Sequence, residues 1–361
     1  HPDGFGRYSK VMRLKESMKP NQNRWLKSFK TIFLIVLGLA ASGFLYLGYF
    51  FLPEKVAEGI FAKAKTRLEI RWTPQDDGFS YKDVSFPTSD GVTLSGWWIA
   101  PSKAHKPLGT VILSHGVFKN RGQVLSRAEF LVKAGYQVLL FDHRGEGLSG
   151  ESPVSGGVLE AGDYLAAADY LKAKHKLAKP LVFLGFSLGA ISAIRAAPQC
   201  PDVDAVIADS PLPNVKAYVS RRGMGSAFSV LPGFFSRCLT DYDRLTGLSL
   251  EPSDLDLEPI VRHFGEKPIL YITGEADDLA RPAEVRKLFN DTQSRHRSLV
   301  YIPEAGHEQT YALYPAVYEQ AVKSFLTEVR ENFPEPSEAE LLKNIKISSS
   351  TNSVSVTQHI Q

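Results

Sequence analysis

Leu181-Val182-Phe183-Leu184-Gly185-Phe186-Ser187-Leu188-Gly189-Ala190 is the stretch that decides how this chain folds. Four apolar residues lead into Gly-Phe-Ser-Leu-Gly, and small, helix-forming residues (Ala190 to Ala197) follow. That order predicts a strand, a sharp turn and a helix. A serine on such a turn has a strained backbone, and side chains flanking it would clash, so both neighbours two positions away must be small. The turn lifts the hydroxyl above the end of a sheet and aims a helix N-terminus at it. A Gly-x-Ser-x-Gly pentapeptide turns up by chance in about one in ten chains of this composition. Its weight therefore comes from the strand–turn–helix context.

Outward from the turn, short apolar runs alternate with helical segments. Strands are expected at 92–100, after the Ser89-Asp90-Gly91 turn, and at 110–116, 136–145, 203–210, 267–277 and 298–307. Helices are expected at 124–134, 158–175, 283–290 and from Tyr314 to Asn332. Such alternation predicts an α/β domain, here 79–335, with a mostly parallel sheet and helices on both faces. Functional groups in such sheets gather at the C-terminal strand ends. Ser114/His115, Asp142/His143, Ser187, Asp209, Asp277/Asp278 and His307 all fall there. Between 211 and 262 the alternation breaks, which predicts an inserted cap over the site. Its apolar residues, Phe228 and Phe234 among them, would form either a pocket wall or plain core. Of the adjacent Trp97 and Trp98, one is expected in the core and the other against the segment after the N-terminal helix. The tyrosines of 311–318 are expected to pack the last helix on the sheet.

A serine nucleophile needs a base, and the base needs an acid to orient it. Among the nine histidines, His115, His143 and His307 follow apolar strands. His307 follows the last strand and Asp277 the strand before it. Ser187…Asp277…His307 is the chain order that accompanies a nucleophile on this kind of elbow.

With these residues in place, the chain resembles the α/β-hydrolase superfamily, specifically its serine aminopeptidase-like and monoacylglycerol lipase-like serine hydrolases. The resemblance runs from about Ser80 to Asn332. It rests on Ser-His-Gly (114–116), Asp-His-Arg-Gly-Glu-Gly-Leu-Ser-Gly (142–150), the elbow (185–189), Thr-Gly-Glu-Ala-Asp (273–277) and Ala-Gly-His (305–307). It implies an α/β-hydrolase fold with Ser187, Asp277 and His307 as catalytic residues. The backbone amides of Val117 and Leu188 would form the oxyanion hole, and His115 would be structural. The acid turn departs from the family pattern near Ala280-Arg281, which leaves Asp278 as the alternative acid. The expected activity is hydrolysis of an ester, thioester or amide through an acyl-enzyme. Alternatives are a peptidase or acyltransferase on the same residues, or a non-catalytic, membrane-tethered binding module. No cofactor or metal is expected: there is no His-Glu-x-x-His and no cysteine cluster. Gly145-Glu146-Gly147-Leu148-Ser149-Gly150 matches a dinucleotide-binding fingerprint in letters only. It follows a second strand, and Glu151 to Gly157 cannot open a helix. Cys200 and Cys238 are expected to be buried free thiols.

The N-terminal region has its own logic. Residues 1–30 carry eight Lys/Arg and two acids, so a chain of net charge +3 has a mildly acidic remainder. That distribution argues against nucleic-acid binding. Thr31 to Leu52 is an uncharged, apolar run of 22 residues, long enough as a helix to cross a hydrocarbon core of roughly 30 Å. A membrane helix at 31–52 is expected in preference to a cleaved signal peptide, whose apolar core is shorter. Lys19, Arg24, Lys27 and Lys30 precede it. They predict a cytoplasmic N-terminus and a catalytic domain on the opposite side. A stalk at 53–78, with an amphipathic helix over 54–69, would link anchor and domain. Residues 336–361 would be a polar, disordered tail. An anchored enzyme of this kind suits a small or lipid-like acyl substrate.

Overall fold

Strands buried on both faces must be apolar throughout, and the central ones here are. The computed structural model describes residues 22–64, 67–101, 106–217 and 233–332. Eight strands form one sheet: β1 (Tyr81–Pro87), β2 (Thr93–Ile99), β3 (Thr110–Ser114), β4 (Gln137–Phe141), β5 (Leu181–Phe186), β6 (Ala205–Asp209), β7 (Ile269–Gly274) and β8 (Arg297–Ile302). Their order is β1-β2-β4-β3-β5-β6-β7-β8. β2 is antiparallel to both β1 and β4, and β3 to β8 all run parallel, as expected of a mostly parallel sheet. From β3 the chain winds first to β4 and then, on the other side, to β5. The crevice above the β3 and β5 ends is therefore the switch point where α/β sheets place their ligands.

Helices α2 (Leu125–Lys133), α3 (Ala161–Ala173), α4 (Leu188–Ala196), α5 (Phe234–Thr246), α6 (Pro282–Asp291) and α7 (Pro315–Asn332) follow in chain order. One core, with Trp98, Tyr164 and Phe183, lies under α3 and α4; the other, with Trp97, Phe130 and Phe325, lies under α2 and α7. Both tryptophans are thus buried, against the expectation that only one would be. Side chains alternate along a strand, and this sheet is covered on both faces. Trp97 lies under the Arg121 guanidinium at 4.8 Å, and Trp98 under the Lys176 ammonium at 5.4 Å. Tyr311 stacks on Phe130 and Tyr318 meets the same ring edge-on, between α2 and α7, the packing role expected of them. Cys200 and Cys238 are free and buried in separate clusters.

The N-terminal helix α1 runs unbroken from Gln22 to Ala64, through Pro53. Anchor (31–52) and amphipathic helix (54–69) were expected as separate segments, whereas one helix contains both. A proline removes one backbone hydrogen bond, and long membrane helices tolerate that. The helix ends at Ala64 and residues 67–73 have no regular structure, so the helix expected over 54–69 ends early. From Trp25 to Phe51 the apolar side chains of α1 are largely exposed. Trp25–Ile60 is long and apolar enough to cross a membrane. The end of α1 packs on α5: Phe234 and Cys238 bury against Tyr49, Leu52 and Val56. Arg237 lies over the Tyr49 and Phe50 rings, and Arg244 pairs with Glu54 at 2.8 Å.

Within the expected cap, the described parts are 211–217 and 233–262, which hold α5 and short turns. Phe234 packs on α1, so it is core between cap and helix, not a wall over Ser187. Phe228, the tail after 332 and residues 1–21 lie outside the described residues.

Candidate active site

Ser187 sits between β5 and α4 with φ 53° and ψ −111°, a conformation that side-chain-bearing residues rarely adopt. Its amide donates to the Asp209 carbonyl at 2.8 Å, which ties the elbow to the end of β6. The flanking glycines are obligatory. A Cβ on Gly185 would lie 2.1 Å from the Gly189 backbone, and one on Gly189 would lie 2.4 Å from Ser114 Oγ. Ser187 is nine-tenths buried, and its hydroxyl lies 2.8 Å from His307 Nε2.

His307 follows β8 and Asp277 follows β7. His307 Nδ1 donates to Asp277 Oδ2 at 2.9 Å. The other carboxylate oxygen accepts the Leu279 and Ala280 amides, each at 2.9 Å. Asp277 is therefore buried, fully bonded and fixed in orientation, whereas Asp278 is exposed. The remaining strand-end histidines, His115 and His143, are wholly buried, with ring centres 5.1 Å apart. Burial, together with the neighbouring His143, pushes His115 well below the usual imidazole range. Its Nδ1 faces the Gly116 carbonyl at 2.8 Å, and its Nε2 accepts the His143 amide at 3.1 Å.

A serine, a histidine and a buried aspartate in this linear relay, on this sheet, are the constellation of acyl-transferring hydrolases. The family model described as serine aminopeptidase, S33, matches residues 105–263. The esterase Pf2001 of Pyrococcus furiosus is 30% identical and superposes with a TM-score of 0.60. That alignment covers 73% of this chain and 96% of the esterase. This chain belongs to the α/β-hydrolase superfamily. Two further proteins are similar to this chain. The Saccharomyces cerevisiae membrane protein YNL320W is 25% identical, over 71% of this chain and 83% of its own. The lysophosphatidylserine lipase ABHD12 of Danio rerio is 26% identical, over 63% of this chain and 62% of its own.

In this α/β-hydrolase the loop after β3 is pinned on either side of Val117. The Gly116 amide donates to Gln123 Oε1 at 2.9 Å, and the Phe118 amide to Glu146. Leu188 is the first residue of α4, and the next amide, of Gly189, donates to the His115 carbonyl at 3.1 Å. Val117 and Leu188 thus flank the same crevice. The glycine-rich loop 145–150 wraps a buried carboxylate instead of opening a helix. Asp142 accepts the Arg121 and Leu148 amides at 2.7 and 2.8 Å. A phosphate beside that carboxylate would be repelled. A cleft of about 210 Å³ lined by Glu129, Phe130, Lys133 and Tyr311 lies elsewhere, on the α2–α7 surface.

Sequence reasoning gave no role to Glu146, Arg127 or Thr310, and noted Asp209 only as a strand-end residue. Arg127 sits in the first turn of α2, where only its burial beside Asp209 reveals it.

Proposed function

We propose that this protein is a membrane-tethered serine hydrolase acting on carboxylic esters of amphiphilic, lipid-like substrates. The observation that carries the proposal is the unbroken relay from Ser187 Oγ through His307 to Asp277. Ser187 Oγ attacks the ester carbonyl while His307 Nε2 takes its proton. The imidazolium so formed is stabilised by Asp277. The oxyanion is met by the Val117 and Leu188 amides, the second at a helix N-terminus, where the partial positive charge is favourable. Collapse expels the alcohol, protonated by His307, and leaves an acyl-Ser187. Water, deprotonated by His307, then attacks the acyl carbonyl, and the acid leaves as Ser187 regains its proton.

Lipid-like substrates are favoured by the packing of cap helix α5 on α1, which puts the cap beside the apolar helix. A relative named as a lysophosphatidylserine lipase and another named as a membrane protein are in keeping with this. On the charge asymmetry around α1, the N-terminus faces the cytoplasm and the hydrolase domain the other side. Fluorophosphonate labelling of the full chain in detergent tests the mechanism. Wild type should label and hydrolyse p-nitrophenyl esters, and Ser187→Ala should do neither. Equal labelling of Ser187→Ala would sink the assignment. The matching family is described by a peptidase, so aminoacyl amides belong in the same panel as the alternative.

A further inference from the structure

We propose that Arg67, on the linker that follows α1, is a positioning residue for the oxyanion loop. The linker would then belong to the catalytic unit and not serve merely as a tether. This rests on the hydrolase mechanism above.

The inference starts from where three carbonyls point. Loop 145–150 turns so tightly that Gly145 and Gly147 adopt φ of 74° and 50°. A Cβ on Gly147 would fall 2.2 Å from the Asp142 carboxylate, so the loop has no room to relax inward. Its Leu148 amide donates to Asp142 Oδ2 at 2.8 Å, and three of its carbonyls converge on one point. There the Arg67 guanidinium donates to the Glu146 carbonyl at 3.4 Å, to that of Gly147 at 2.9 Å, and to that of Ser149. It also pairs with Glu151 at 2.8 Å. All three carbonyls meet Nη1 while Nη2 reaches Glu151, so the guanidinium fork holds the loop at two points, which a lysine point charge does only in part.

From the loop, the connection to the site is direct. The Glu146 side chain crosses to accept the Phe118 amide, the residue after Val117. Phe118 holds φ 58°, a conformation that needs such a restraint. Glu146 is buried, its second oxygen has no hydrogen-bond partner among the described residues, and His115 Nδ1 lies 3.7 Å away. Burial pushes this carboxyl well above its usual range, and the Phe118 amide opposes that shift. The linker grips the other side too: Asn120 Nδ2 donates to the Leu68 and Glu69 carbonyls at 3.0 and 3.3 Å. Residues 67–69 therefore hold both loops that bracket Val117. Without Arg67 the 146–149 carbonyls would spread, Glu146 would withdraw, and the Val117 amide would lose its aim at the oxyanion.

The test uses the full chain in detergent micelles, comparing wild type with Arg67→Ala and Arg67→Lys. Arg67→Ala should lower kcat for p-nitrophenyl acetate about tenfold to a hundredfold, below the usual cost of deleting an oxyanion donor outright. KM should change little, because the donor acts on the transition state. Amide hydrogen exchange should quicken over 117–124 and 146–151 with the melting temperature nearly unchanged. Arg67→Lys should recover part of kcat. Unchanged exchange over 117–124 in Arg67→Ala would overturn the proposal, as would faster exchange with wild-type kcat. Should wild type hydrolyse no ester, the hydrolase mechanism fails, and exchange alone decides whether the linker holds the loop. Should Arg67→Ala not fold, Arg67→Lys and Asn120→Leu carry the same two readouts.

Discussion

Arg127 clamps one carboxylate oxygen of Asp209 from two sides: Nε and Nη2 both reach Oδ2, at 3.0 and 2.8 Å, with both side chains buried. Thr310, three residues after His307, donates to the same oxygen at 3.1 Å. The Asp209 main-chain carbonyl meanwhile takes the Ser187 amide. Phe186 lies between the Arg127 guanidinium (5.1 Å) and the His307 ring (5.3 Å). One buried ion pair thus fixes the loops of Ser187 and His307 relative to each other.

Asp209→Asn should leave the Arg127 charge buried without its counter-charge and cost about 3–5 kcal/mol in denaturant unfolding. The double change Arg127→Met, Asp209→Leu should recover much of that loss. A double variant as unstable as the single would show that charge balance is not the cause.

Asp277→Asn should lower kcat about 10³–10⁴-fold, because an amide no longer fixes the His307 tautomer. Asp278→Asn, at an exposed position, should behave like wild type. The reverse outcome would move the acid by one residue.

Ser187→Ala should melt like wild type, since alanine has the same Cβ on the same backbone. Gly189→Ala should not: its Cβ would press on Ser114 Oγ and the Ser114 carbonyl, at 2.4 and 2.7 Å. Thermal melts of the two side by side check the elbow's packing independently of activity.

Phe234→Ala should loosen α5 from α1, at a cost of about 3–5 kcal/mol for a buried phenyl. Any loss of turnover should be the same for acetate and long-chain esters, because the ring faces α1. A loss confined to long chains would place Phe234 in the acyl pocket.

Glu129 gives the pH dependence of stability. Burial, with Asp77 beside it, pushes its carboxyl from 4.5 to about 7. A carboxyl raised in the folded state holds its proton better there than in the unfolded chain. The Glu129 contribution to stability should therefore be full below pH 4.5 and be lost as pH rises through about 7. Glu129→Gln should match wild type at pH 4 and melt higher at pH 8. Parallel melting curves across that range would contradict this.

The strands and their helices were legible because a buried parallel strand is written as an uninterrupted apolar run, as in Val111 to Leu113 or Val138 to Phe141. The strand-end positions of Ser187, Asp277 and His307 were legible for the same reason. What sequence reasoning missed depends on tertiary contact. Trp97 and Trp98 misled because adjacency in sequence says nothing of how many faces a sheet has covered. Anchor and stalk read as separate segments because no local pattern shows that α5 packs across their junction. Arg67 looked like one more flanking charge. Its carbonyl partners lie about eighty positions further on, and no local pattern links them.

The unbroken α1 makes a lever arm. From Leu52, at the end of the apolar run, to Ala64 it extends twelve further residues, about 18 Å at helical rise. A change in tilt of about 10°, modest for helices matching bilayers of different thickness, would carry the far end sideways by roughly 3 Å. Cap helix α5 rides on the near part of that arm, and Arg67 sits just past its tip. With α1 in a bilayer, as proposed above, its tilt would bear on both the cap and the loop held by Arg67.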